Sequence, residues 1–158
     1  MLKKFNTSLN PGPERWELLS KVHDFKREIV ADVGCWNGYF AMEINKVAAC
    51  VHCYDSTPVA FELPVVRFNI ETDALPHHYD TILFLDTLQY VKNQEQALTK
   101  LFLGADCFIL EIFFNQVQPH WHMISKELVL ELAKICGHKL KTEYELERGS
   151  TVMLFEKC

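Results

Sequence analysis

The hydrophobic period changes repeatedly along this chain, and each change marks an element. Trp16, Leu18, Leu19, Val22 and Phe25 recur at helical spacing and predict a leading helix through about Arg27. Before it, Asn10-Pro11-Gly12-Pro13 reads as a turn cluster. Residues 29–33 form a short apolar strand. Gly34-Cys35-Trp36-Asn37-Gly38 is a turn, and Tyr39, Phe40, Ile44 and Val47 mark a second helix. A strand over 50–54 ends at Asp55, Pro58 and Pro64 bracket a helical or irregular piece, and a third strand covers 65–68. Asp80 opens the strongest strand, 81–85, which stops at Asp86. A helix over 93–103 follows, with Gly104 placed to end it, and then an apolar strand over 107–113. A loop over 114–124 leads to Ser125, which caps a helix that runs to Cys136 and stops at Gly137.

Strands that are apolar on both faces belong in the middle of a parallel sheet covered by helices on each side. The last twenty residues differ. Leu140, Thr142, Tyr144 and Leu146 alternate with Lys139, Lys141, Glu143 and Glu145, giving a strand with one wet face. Glu147-Arg148-Gly149-Ser150 is too short for a helical crossover, so residues 151–156 must return antiparallel. The expected fold is α/β: a three-layer sandwich around a seven-stranded, mostly parallel sheet that ends in an antiparallel hairpin.

Composition narrows the function classes. With 158 residues, 49% of them hydrophobic, one domain over 1–158 is expected, with 1–13 as an N-terminal extension and 14–27 as the leading helix. The balance of 16 Lys plus Arg against 21 Asp plus Glu, net −5, lacks the broad basic face of a nucleic-acid binder. No apolar run approaches the roughly 18 residues of a membrane helix, and Met1 to Thr7 lack the apolar core of a signal peptide. A cytoplasmic protein off the membrane is expected. The six cysteines have no repeating spacing and read as reduced thiols. Cys50-Val51-His52-Cys53 has a metal-like spacing, but no second pair follows, and on a strand its cysteines face opposite sides. No metal is expected.

In an open α/β sheet, ligands sit over the carboxyl ends of the strands near the point where the strand order reverses. Three segments place polar or glycine residues there. In Asp32-Val33-Gly34-Cys35-Trp36-Asn37-Gly38, the glycines let the backbone turn tightly and approach a ligand. Asp55, seventeen residues past Gly38, can accept two hydrogen bonds from ribose hydroxyls. Asp86-Thr87-Leu88-Gln89-Tyr90 follows the most apolar strand. Plainer roles stand beside these: Asp55 capping a helix, and Asp32 bonding the loop backbone.

In this order and spacing, the segments resemble the class I S-adenosylmethionine-dependent methyltransferases. The likeness rests on residues 29–40, on Asp55, on Leu75-Pro76 with residues 79–90, and on the terminal hairpin. It spans roughly residues 14–157 and marks a near-minimal member without an insert or appended domain. It implies a Rossmann-like fold, S-adenosylmethionine as cofactor and methyl transfer as the reaction. Asp32, Gly34, Cys35, Trp36 and Gly38 would shape the methionine end, and Asp55 with Ser56 would hold the ribose. Asn69 and Ile70 would meet adenine, with Glu71 or Asp73 as alternates, while Asp86 and Thr87 would face the methionine and the substrate. One departure stands out: Trp36 occupies a position where the family usually has glycine.

A hydroxyl acceptor would benefit from a base. Candidates are His120 and His122, in the loop after the fifth strand, and Asp86; solvated loop histidines are the other account. His77-His78 reads as a solvated turn. Tyr39 and Tyr90 are candidate acceptor walls, whereas Trp16 at helical spacing reads as core. No Asn/Asp-Pro-Pro-aromatic motif follows the fourth strand, and Ile109-Leu110-Glu111-Ile112-Phe113 does not match the lysine tetrad of ribose methyltransferases. A small-molecule acceptor, methylated at O or N, is therefore expected rather than nucleic acid. Two further readings stay open. One is a non-catalytic S-adenosylmethionine- or nucleotide-binding module in which Trp36 fills the pocket and the chain acts as a regulator or subunit. The other is a different nucleotide-dependent enzyme, although the glycine spacing departs from the dinucleotide fingerprint. Assembly as a homodimer or with a partner subunit fits either.

Overall fold

The computed structural model describes residues 3–5, 11–116 and 118–158. In chain order the elements are β1 (Lys3–Phe5), α1 (Pro11–Val22), β2 (Ile29–Val33), α2 (Tyr39–Asn45), β3 (Cys50–Asp55), β4 (Val65–Arg67) and β5 (Tyr79–Leu85), followed by α3 (Gln94–Leu103), β6 (Ala105–Ile112), α4 (Lys126–Ile135), β7 (His138–Leu146) and β8 (Thr151–Lys157). The strands join in one sheet, ordered β1-β7-β8-β6-β5-β2-β3-β4. Among the described strands only β8 runs antiparallel to its neighbours. The order reverses between β2 and β5, which pair with Val30 opposite Thr81. From β2 the chain builds outward through β3 and β4, then returns to lay β5 and β6 on the other side. The loops leaving β2 and β5 part in opposite directions and leave a crevice between them.

Strand side chains alternate between two apolar layers, as a period of two requires. Ala31, Ile82, Phe84, Phe108 and Leu110 meet Leu98, Leu101 and Phe102 of α3 and Val129 of α4. Val30, Leu83, Leu85 and Ile109 meet Leu18 and Leu19 of α1 and Ile44 of α2. Both faces are covered, which is why the central strands are apolar throughout. One polar exception matters: β6 turns Cys107 and Glu111 toward the α1 face. Glu111 pairs with Arg15 of α1, and Cys107 lies 3.7 Å from His23, just beyond the helix. The strand step from Cys107 to Glu111 spans about 13 Å and the helical step from Arg15 to His23 about 12 Å, so helix and strand match in length and are fastened at both ends.

The seven expected strands and the terminal hairpin are all present. An eighth, β1, falls within the expected extension and pairs parallel with β7; a Lys-Lys-Phe run has no period to read, and only its pairing defines it. α1 begins inside the expected turn cluster, since proline is tolerated in a first helical turn; Asn10 lies outside the described residues. α1 ends at Val22 rather than near Arg27, and Arg27 itself turns with φ 62. Gly104 ends α3 with a right-handed φ of −86. Its surroundings are close-packed: a Cβ there would lie 2.5 Å from Leu75 Cδ1, and that side chain would have to shift. The alternation of β7 slips between Leu140 and Thr142, making Lys141 the extra residue of a bulge. No helix forms between Pro58 and Pro64. No described helix is long and apolar enough to cross a membrane.

Phe102 is fully buried, with ring centroids 4.8 Å from Phe108 and 5.1 Å from Phe155. Phe102→Ala is expected to cost about 3–5 kcal/mol in urea denaturation, whereas exposed Leu103→Ala should stay within about 0.5 kcal/mol.

Candidate functional site

A cavity of about 590 Å³ opens at the carboxyl ends of β2, β3 and β5. That volume falls within the range of small-ligand sites. Its first wall is the loop after β2. Gly34 donates its amide to Tyr54 O at 2.7 Å and has φ 77. A Cβ at Gly34 would stand 2.4 Å from Thr87 Oγ1, so the two loops can approach only because one side chain is missing. Trp36 adopts φ 44, a left-handed conformation that a non-glycine residue rarely takes. Asp55, at the end of β3, holds that turn: Oδ2 accepts from the Trp36 amide at 2.9 Å and Oδ1 from the Thr57 amide at 2.8 Å. A carboxylate has about four acceptor positions, so Asp55 keeps capacity toward the cavity it lines.

Asp32 lies behind the loop, almost fully buried, and its Oδ2 has no partner. Burial pushes its carboxyl up to about 7; the Ala41 amide and Arg15 pull it back, and Asp55 adds to the rise. Asp32 thus bonds the first turn of α2 rather than the loop backbone expected of its plainer role, and leaves one oxygen free.

The opposite wall is ionic. Glu111, with no exposure, pairs with Arg15 and, at 3.0 Å, with Arg148 of the β7–β8 turn, and it accepts from Ser150 Oγ at 2.7 Å. Arg148 also pairs with Asp86, whose other oxygen accepts from Gln89 Nε2 at 2.6 Å. Asp86 sits at φ 55, and these partners hold it there. Each guanidinium covers a ring, Arg15 over Phe40 at 4.8 Å and Arg148 over Phe113 at 4.9 Å. The Arg15 Nε is buried without a partner. Sequence reasoning gave no role to Arg15, Glu111, Arg148 or Ser150. A glutamate inside an otherwise apolar strand was the available signal, since such a charge needs partners.

Nine of the expected residues line the cavity: Gly34, Cys35, Trp36, Asp55, Ser56, Asn69, Ile70, Asp86 and Thr87. Asp32 and Gly38 stand behind the lining. The Trp36 indole is 68% exposed and borders the cavity rather than filling it. Glu71 also lines the cavity, while Asp73 turns back to accept from the Asn69 amide at 2.8 Å. Tyr90 lines the cavity; Tyr39 does not, and packs edge-on against Phe40. Trp16 stacks on Phe25 in the core. His120 and His122 are exposed, and neither ring lines the cavity. The loop is held here through backbone instead, with the His122 amide on Gln89 O at 2.7 Å. His78 pairs with Asp106 at 2.9 Å on the surface. Cys50 is exposed and Cys53 buried, on opposite faces of β3.

No family model matches the chain, and no curated protein matches it in sequence. Solved structures do match. The chain resembles magnesium protoporphyrin IX methyltransferase from Synechocystis PCC 6803 with bound S-adenosylhomocysteine, at TM-score 0.77 and 13% identity over 93% of this chain and 82% of that one. An S-adenosylmethionine-dependent methyltransferase from Mesorhizobium loti matches at TM-score 0.76 and 11% identity, over 90% and 97%. The 1,6-didemethyltoxoflavin-N1-methyltransferase of Burkholderia thailandensis, with its namesake compound and S-adenosylhomocysteine bound, matches at TM-score 0.66 and 14% identity, over 94% and 77%. The chain has the fold of the S-adenosylmethionine-dependent methyltransferases.

Asp32 yields a stability prediction. Its folded carboxyl, near 7, lies above the ordinary value of 3.8, so the group's stabilising contribution is complete below about pH 4 and is lost as pH rises through 7. Asp32→Asn keeps an acceptor for the Ala41 amide and removes that loss. Urea midpoints should show the variant more stable than wild type at pH 8 and nearly equal at pH 4.5. Equal destabilisation at both values would contradict this.

Proposed function

We propose that this chain is a class I S-adenosylmethionine-dependent methyltransferase, that it binds the cofactor in the switch-point cavity and that it methylates a small molecule at O or N. The observation that carries the reading is Asp55. It is a carboxylate at the end of the strand next to the glycine turn, fixed by two amides and still facing the cavity. That is where two ribose hydroxyls would be gripped. Phe68 and Ile70 offer an apolar berth for adenine beside Asn69. At the other end, Arg15 lines the cavity, and its unpaired Nε belongs to a guanidinium suited to a carboxylate, while Asp32 stands behind the lining. The lining therefore fits the carboxylate of an amino-acid tail.

When bound, the cofactor supplies a methyl carbon already activated on a sulfonium. The chain's part is to position the acceptor in line and to exclude water. Asp86, Tyr90 and Arg148 line the side of the cavity left to the acceptor. Of the three expected proton acceptors, Asp86 is the one at the cavity, so the acceptor's proton is assigned to it rather than to His120 or His122. The Burkholderia neighbour, with 1,6-didemethyltoxoflavin and S-adenosylhomocysteine bound, supports a small-molecule acceptor.

Calorimetric titration with S-adenosylhomocysteine should show micromolar binding, weakened at least tenfold in Asp55→Ala. Trp36→Gly should change affinity by less than about threefold, because the exposed indole adds little buried contact. Absence of binding at millimolar ligand would overturn the reading.

A further inference from the structure

A second polar cluster lies toward the amino ends of β5 and β6, away from the cavity. His23, 11% exposed at its side chain, meets Glu28 Oε2 through Nε2 at 2.9 Å. Thr81 Oγ1 stands 3.0 Å from the same nitrogen and donates to Glu28 Oε2 at 2.8 Å. Both contacts favour a proton on Nε2 and turn Nδ1 toward Cys107 Sγ, 3.7 Å away. A thiol, an imidazole that faces it and a carboxylate that orients the imidazole form the arrangement that activates cysteine nucleophiles.

We propose that Cys107 is a peroxide-reactive thiol, with His23 taking its proton and Glu28 and Thr81 positioning His23. Neither the switch-point cavity nor the smaller hollow between Asn93 and Ser125 is lined by Cys107. Cys107 is only 6% exposed, which admits hydrogen peroxide far more readily than a bulky electrophile. In the reaction the sulfur attacks one peroxide oxygen. The S–O bond forms, the O–O bond breaks, and sulfur gives up two electrons to the peroxide. The departing hydroxide takes the proton that His23 received from the thiol and leaves as water, and Cys107 becomes a sulfenic acid. Burial opposes charge on His23, but its hydrogen bonds to Cys107 and Glu28 outweigh that and hold its pKa well above the ordinary value. The other charged groups near the sulfur are Glu156, opposite Cys107 in β8, and Lys141 of β7, which pair with each other.

The test exposes the full chain to limiting hydrogen peroxide, quenches with catalase, traps sulfenic acid with dimedone in denaturant and reads all six cysteines by peptide mass spectrometry. At pH 6.5, Cys107 should be labelled at least fivefold more than the exposed Cys50 and Cys158, whereas N-ethylmaleimide should modify those two first. Labelling of Cys107 should change less than about twofold between pH 6 and 8, against about tenfold per pH unit for an ordinary thiol. His23→Gln should cut it at least fivefold. Glu28→Gln, nearly isosteric, covers the case in which His23→Gln fails to fold and should lower labelling in the same direction. Labelling that follows exposure alone, or a pH profile at Cys107 matching that of Cys158, would overturn the proposal. So would full labelling in a folded His23→Gln variant.

Discussion

Glu111 is a carboxylate with no contact to water, set at the end of the apolar strand β6. Burying such a charge costs several kcal/mol unless it is paired, and removing one partner of a buried pair typically costs about 3–5 kcal/mol. Here two arginines and a serine hydroxyl satisfy it. Arg15 comes from the leading helix and Arg148 from the terminal hairpin. Each must cross to the same oxygen pair, so both ends of the chain are drawn to one wall of the cavity. Arg148 then reaches Asp86, which adds the turn after β5 to the same network.

This ionic centre, together with Asp55, explains how strained backbone survives beside the cavity. Trp36 and Asp86 both adopt left-handed conformations, and strain of this kind costs on the order of 1–3 kcal/mol each. It persists because side-chain bonds over-determine the turns. Asp55 fixes Trp36 through its amide, while Arg148 and Gln89 fix the Asp86 carboxylate. α1 contributes in the same way at longer range. Leu18 and Leu19 pack its middle, Arg15 pins one end to Glu111, and His23 pins the other beside Cys107.

The sheet and its final hairpin were legible because burial on two faces leaves an unbroken apolar run, and a four-residue connection cannot cross over. The glycine turn and Asp55 were legible because they sit at strand ends in a fixed order. What escaped the sequence depends on contacts between distant segments. Arg15 and Glu111 are 96 residues apart, and nothing in the local pattern around either announces the other. The cysteine beside His23 is likewise a product of the α1–β6 packing. The reverse holds for His120 and His122. Their loop was well placed in sequence, but its backbone bonds to Gln89 leave the rings off the cavity. Trp36 looked obstructive because a bulky indole would crowd a turn that relies on close backbone approach to its ligand. The structure instead shows a left-handed turn at Trp36 with the indole largely exposed at the cavity rim.

The most direct measurement is a crystal structure of the chain grown with millimolar S-adenosylhomocysteine. The account predicts both ribose hydroxyls on the Asp55 carboxylate, adenine beside Ile70, and the carboxylate of the amino-acid tail toward Arg15, with Trp36 still at the rim. Ligand bound elsewhere, or a cavity closed by the indole with no nucleoside in it, would contradict the account.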